Sequence, residues 1–172
     1  MLPKLDRHIF IIGMALLAIL VLTNLLAIAL LLAVAFALSF FINKSGLRII
    51  GIELVTFVAV VTGYVYGAFI GVAIALVLVV FHLLVSGYFG VYFAWVIPEY
   101  PIAAYIASLM AGHSIVYVGI FITVALNVVN IVFTAAAYRQ NLGKHLPYAV
   151  TNIAFNIALF MVAGQLAVDV IK

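Results

Sequence analysis

The chain has 172 residues, of which 70% are hydrophobic and 6% charged, whereas a soluble domain is nearer about 45–50% apolar and about 25% charged. One small core cannot hide that surplus, so the composition excludes an ordinary soluble enzyme domain and describes an integral membrane protein. The net charge of +3 rests on seven basic and four acidic side chains, too few for a nucleic-acid surface, and the lack of cysteine excludes disulfides, thiol catalysis and cysteine metal sites.

In chain order, a basic start with Lys4 and Arg7 leads into the apolar run 8–42. No small-residue cleavage site interrupts it, so it is expected to be a retained segment and not a signal peptide. As one helix the run would span about 50 Å against a hydrocarbon core of about 30 Å. It is therefore read as two crossings, an extra N-terminal helix over 8–22 and a first core helix from Asn24, with a break near Thr23-Asn24. The run 49–87 is also too long for one crossing, and Gly67 is the best break point, giving helices over 49–66 and 68–87. The aromatic stretch 87–100, GYFGVYFAWVIPEY, suits a membrane interface. Pro101 then opens a short helix to about Ala111, followed by crossings over 115–138 and 148–171. The polar gaps 43–48, 98–101 and 139–147 are short, which leaves no soluble domain. The expected fold is all-α: one integral membrane domain over 1–172, a polytopic bundle with a six-helix core over 24–171 plus the extra helix.

Two small-residue patterns stand out. In TGYVYGAFIG (62–71), Gly63, Gly67 and Gly71 recur every four residues. They either line one face of a helix, or Gly67 makes a tight turn with close packing at Gly63 and Gly71. Upstream, Ala29, Ala33 and Ala37 share one helical face, broadened by Ala27 and Ala35. Such a strip forms a flat groove for another helix, within the chain or on a partner.

Together, the alanine-striped helix, the short loop, IELVTFVAVVTGYVYGAFIG (52–71), the aromatic loop and a late helix with internal asparagines resemble the substrate-binding S components of energy-coupling factor transporters. The resemblance covers roughly residues 24–171, and the bacterial rod-shape membrane subunit of the D type has a related look without a substrate. It implies six helices in a compact bundle of the cell membrane. It also implies a small-molecule substrate, and docking through Ala29, Ala33 and Ala37 onto a transmembrane coupling subunit driven by ATPase subunits. The resemblance sets the loops holding Lys44, Arg48, Arg139 and Lys144 outside, whereas the positive-inside rule sets them in the cytoplasm. Both orientations stand as alternatives.

Polar residues within apolar runs are the candidate site. Glu53 precedes an apolar helix, where a carboxylate favours the macrodipole or meets a ligand. Asn127 and Asn130 share one helical face and Asn152 and Asn156 another. Four amides in lipid need partners, either one another across helices or a substrate. With Trp95 they form the expected substrate-binding set. His82 and His113 lack the convergent neighbours of a metal site, and Ser86-Gly87 and Gly112-His113-Ser114 lack the glycine pattern of an intramembrane serine protease. No phosphate-binding glycine loop with its lysine occurs, so ATP hydrolysis would belong to a partner. The expectation is a non-enzymatic binding subunit with no catalytic residue, metal or cofactor, embedded in the lipid bilayer. The alternative is a structural or assembly subunit of a larger membrane complex.

Overall fold

A computed structural model describes the backbone of residues 4–47, 49–87, 90–138, 143 and 145–172, and side chains mainly from Asn24 onward. Arg48, Arg139 and Lys144 lie outside the described residues. The described chain is helical and without strands: α1 Lys4–Lys44, α2 Val55–Ser86, α3 Phe93–Leu109, α4 Ile115–Tyr138 and α5 Leu146–Ile171. Lipid offers no hydrogen bonds, so a segment in it must satisfy its backbone internally, and the helix does so within one chain segment. Four segments are long and apolar enough to cross a membrane: Asn24–Lys44, Val55–Ser86, Ile115–Ala136 and Leu146–Ile171. Large apolar side chains stay exposed around the bundle, Phe69, Leu109 and Val162 among them, a surface that suits acyl chains.

The count of six core helices plus a seventh is corrected to five. α1 is one helix of 41 residues with no break at Thr23-Asn24. Exceeding the bilayer thickness removes no hydrogen bond from a helix, and the Asn24 side chain turns outward from its own backbone, donating to the Lys172 carbonyl at 3.2 Å. α3 also starts earlier than Pro101, at Phe93, and holds Pro98 and Pro101 inside it. Neither proline has an N–H to give the preceding turn.

α2 carries the sharpest feature of the fold. Two helical limbs abut within it at Gly67, which has φ 81° and ψ 179°, a region open essentially to glycine alone. A Cβ built on Gly71 would lie 2.7 Å from the Gly63 amide nitrogen. In a straight helix, residues eight apart are about 12 Å apart. The chain therefore reverses at Gly67, and limbs 55–66 and 68–86 lie side by side. Ala59 and Ala75, each eight residues from the turn, pack together with Ala104 of α3, and a Cβ on Gly63 would lie 2.8 Å from the Ala104 carbonyl carbon. Small residues thus let three backbones approach closely along one seam.

The remaining elements close around this hairpin. α1 packs on the second limb through Phe36 and Phe81, ring centroids 4.5 Å apart, and α5 packs on the first limb through Phe57 and Phe160, 4.9 Å apart. At the Gly67 end, Tyr64 donates to the His113 carbonyl at 2.8 Å and Tyr66 to the Ile171 carbonyl at 2.7 Å. The α1–α2, α2–α3 and α4–α5 connections all lie at the other end.

Candidate functional site

Near those connections, the polar side chains gather. Glu53 is buried, 1% exposed, just ahead of α2. Its Oε2 accepts the Thr56 backbone N–H at 3.0 Å, closing the first turn of α2, and its Oε1 accepts the Thr56 hydroxyl at 2.6 Å. Asn152 of α5 supplies another donor: its Nδ2 reaches Glu53 Oε1 at 3.0 Å and the Gly51 carbonyl at 2.9 Å. The other side of that amide, Oδ1, accepts from Asn127 Nδ2 of α4 at 2.8 Å. One side chain thereby ties the α1–α2 connection, α4 and α5 together. The helix-start role foreseen for Glu53 and its place in a polar cluster are thus combined in one carboxylate.

A second group adjoins the first. The indole N–H of Trp95 points to Asn130 Oδ1 at 3.4 Å, which also accepts from Thr134 at 3.2 Å. The Trp95 ring stacks with Phe133, centroids 6.1 Å apart and planes within 19°. Asn127 and Asn130 line two adjoining clefts that join the groups. The larger has room for about 30 Å³, and Thr134, His145 and Tyr148 complete its polar lining. The smaller has room for about 10 Å³ and is lined by Thr56, Glu99, Tyr100, Tyr148 and Asn152 besides those two asparagines. A bound water needs about 10–15 Å³ of such space, and a drug-sized ligand occupies about 300–1,000 Å³, so the clefts as they stand take water-sized occupants.

Of the six substrate-binding candidates, Glu53 and Asn127 are each bonded to Asn152, and Trp95 and Asn130 form the adjoining pair. Asn156 is set apart: its Nδ2 donates to its own helix at Asn152 O, 3.1 Å, and its buried Oδ1 has no partner. Ala29, Ala33 and Ala37 are all exposed, whereas Ala35 between them is fully buried. The stripe is turned away from this bundle. No family model, curated protein or solved structure matches the chain. What the chain can do is therefore read from its own geometry.

Several residues were missed by sequence reasoning. Glu99 is 7% exposed, faces the smaller cleft, and its Oε1 has no hydrogen-bond partner. Tyr100 and Tyr148 approach each other, and Tyr100 approaches Thr56. The available signal was scarcity: with only four acidic residues in 172, a carboxylate in an apolar stretch is informative. The sequence sets His82 aside as a metal ligand for want of convergent neighbours. Its Nδ1 lies 3.0 Å from the Ser39 hydroxyl at the contact of α1 with the second limb, and neither cleft is lined by that pair. Ser86 donates to the Leu83 carbonyl of its own helix at 2.7 Å.

Proposed function

We propose that the chain is a membrane-embedded binding subunit of an ATP-driven uptake transporter, similar to the S components of energy-coupling factor systems. The observation that carries this is the polar cluster. Glu53, Asn127 and Asn152, with Trp95 and Asn130 beside them, come from four separate stretches of the chain and meet at one end of an otherwise apolar bundle. Polar groups in lipid are costly and mark ligand pathways. Taking the limbs of α2 as separate rods gives a bundle of six rods, and the connections at the cluster's end are those that would cover a substrate. A small molecule reaching the cluster exchanges protein–protein hydrogen bonds for its own as the connections part. The exposed face of Ala29, Ala33 and Ala37 suits close approach of a coupling subunit, whose ATPase partners drive reorientation of the bundle in the cell membrane.

The second reading is a structural subunit of a larger membrane assembly. The small clefts and the bonding of Glu53 and Asn127 to Asn152 favour it. Native mass spectrometry after gentle extraction separates the two: a retained small molecule with a coupling subunit and an ATPase pair supports transport, and a ligand-free assembly with other membrane subunits supports the structural role.

The alanine face gives a sharper test. Ala33→Trp is expected to leave the isolated chain folded, since the side chain would project outward, and to remove the co-purifying partner. Size-exclusion chromatography of the isolated chain and pull-down from its own membrane read the two effects. A complex that survives the tryptophan disproves docking through this face.

A further inference from the structure

The smaller cleft holds a problem that hydrogen bonding within the chain leaves unsolved. Glu99 is more than nine-tenths buried, and its Oε1 meets no donor. It lies on α3 between Pro98 and Pro101 and faces the same space as Thr56, Tyr100, Asn127, Asn130 and Tyr148. Among the described residues no lysine, arginine or histidine lines that cleft, and His145 lines the adjoining one. Glu53, the other buried carboxylate, has its oxygens taken by Thr56 and Asn152. The cleft is therefore an oxygen-lined space of about 10 Å³, close to the size of one water.

We infer that this cleft is a binding site for one small monovalent cation, an alkali-metal ion, held by the Glu99 carboxylate together with neutral oxygens of the surrounding amides and hydroxyls. Three arguments select that occupant. A water would give Oε1 a hydrogen bond but no counter-charge, so burial would hold the carboxyl neutral, whereas a cation in the cleft compensates the ionised form. Hard oxygen donors suit alkali and alkaline-earth ions and not the softer transition metals. Finally, one free carboxylate matches one positive charge, whereas Ca²⁺ takes about 6–8 oxygens, commonly with several carboxylates. No group of three His, Cys, Asp or Glu residues converges among the described residues. The site does not depend on a transported small molecule, so it stands or falls apart from the transporter reading.

The test is direct binding of radioactive sodium to the purified full chain in detergent, with choline as the inert replacement cation. Saturable binding of one sodium per chain is expected, displaced by lithium or potassium and not by choline. Glu99→Gln keeps the shape and removes the charge; it is expected to weaken sodium binding by about tenfold or more, the scale of losing a charged contact. Gln165→Ala, on an exposed position of α5, should bind like the parent. Should Glu99→Gln fail to fold, the parent protein alone decides: its melting midpoint, followed through Trp95 fluorescence, should rise with sodium at constant ionic strength and not with choline, because a ligand of the folded state stabilises it by mass action. Absence of saturable binding with identical melting in the two salts means that water alone fills the cleft and overturns the site. Undiminished binding by a folded Glu99→Gln protein overturns the assignment to Glu99.

Discussion

Gly71→Leu is expected to abolish the folded bundle, whereas Gly67→Ala is expected to cost only about 1–3 kcal/mol. The contrast separates two uses of glycine that the sequence pattern presents as equivalent. At Gly67 the backbone is unusual, with φ 81°, but an added Cβ would meet nothing within 4 Å. Alanine there meets only backbone strain. At Gly71 the backbone is ordinary helix, but a Cβ would overlap Gly63, including its amide nitrogen at 2.7 Å. Backbone cannot swing aside as a flexible side chain can. A leucine must therefore push the limbs of α2 apart, and the seam of Ala59, Ala75 and Ala104 opens with them. Separating three segments that meet closely through small residues forfeits their dispersion contacts, the main attraction between helices in lipid. Stabilities of folded proteins are only about 5–15 kcal/mol, so a loss concentrated on one seam suffices. A graded series, Gly71→Ala, Gly71→Val and Gly71→Leu, should lower the melting midpoint stepwise and end in aggregated protein on size-exclusion chromatography. The single Trp95, 8% exposed, reports the transition by its fluorescence. If Gly71→Leu is monodisperse and melts with the parent, the limbs do not pack at Gly63 and Gly71.

The turn at Gly67 was legible because two independent constraints met there. The run 49–87 was too long for one crossing, and a glycine stood near its middle. The same length argument failed over 8–42. Thickness of the bilayer limits what lies in lipid but does not end a helix, and no glycine or proline stands at Thr23-Asn24 to end it. The site was legible in its amides, because the three- and four-residue spacings of Asn127 with Asn130 and Asn152 with Asn156 fix which helical faces they share. Which of them meet across the bundle was not legible. Asn152 and Asn156 share a face, but only Asn152 is level with Glu53 and Asn127, while Asn156 lies one turn further along. That difference comes from the relative height of α4 and α5, a tertiary quantity. Glu99 was hidden by its neighbours: two prolines and a dense aromatic stretch resemble an interfacial loop, whereas α3 holds both prolines and buries the carboxylate.

The amide of Asn152 ought to be the least replaceable polar group in the bundle, and Asn152→Leu should destabilise it by about 3–5 kcal/mol. Its Nδ2 is shared between the Glu53 carboxylate and the Gly51 carbonyl, and its Oδ1 accepts from Asn127. Leucine has similar bulk, so the loss is polar and not a cavity. It strips one donor from a carboxylate that is 1% exposed, leaves the Gly51 carbonyl short of a donor, and leaves Asn127 with only its bond to the Thr123 carbonyl. An unsatisfied buried charge is the most expensive of these. Asn156→Leu makes the comparison. Asn156 is equally buried, but its one hydrogen bond stays within α5 and its Oδ1 is already without a partner. Removing it should cost about 1 kcal/mol or less. A double-mutant cycle isolates the charge: Glu53→Gln combined with Asn152→Leu should be less destabilised than the sum of the single variants, with a coupling of about 0.5–3 kcal/mol. Melting followed by Trp95 fluorescence in one detergent and one salt measures all four. Equal losses for Asn152→Leu and Asn156→Leu, or strict additivity in the cycle, would show that the Glu53–Asn152 bond contributes nothing beyond packing. The polar cluster would then lose its central bond, and with it the strongest physical reason for treating that end of the bundle as a built site.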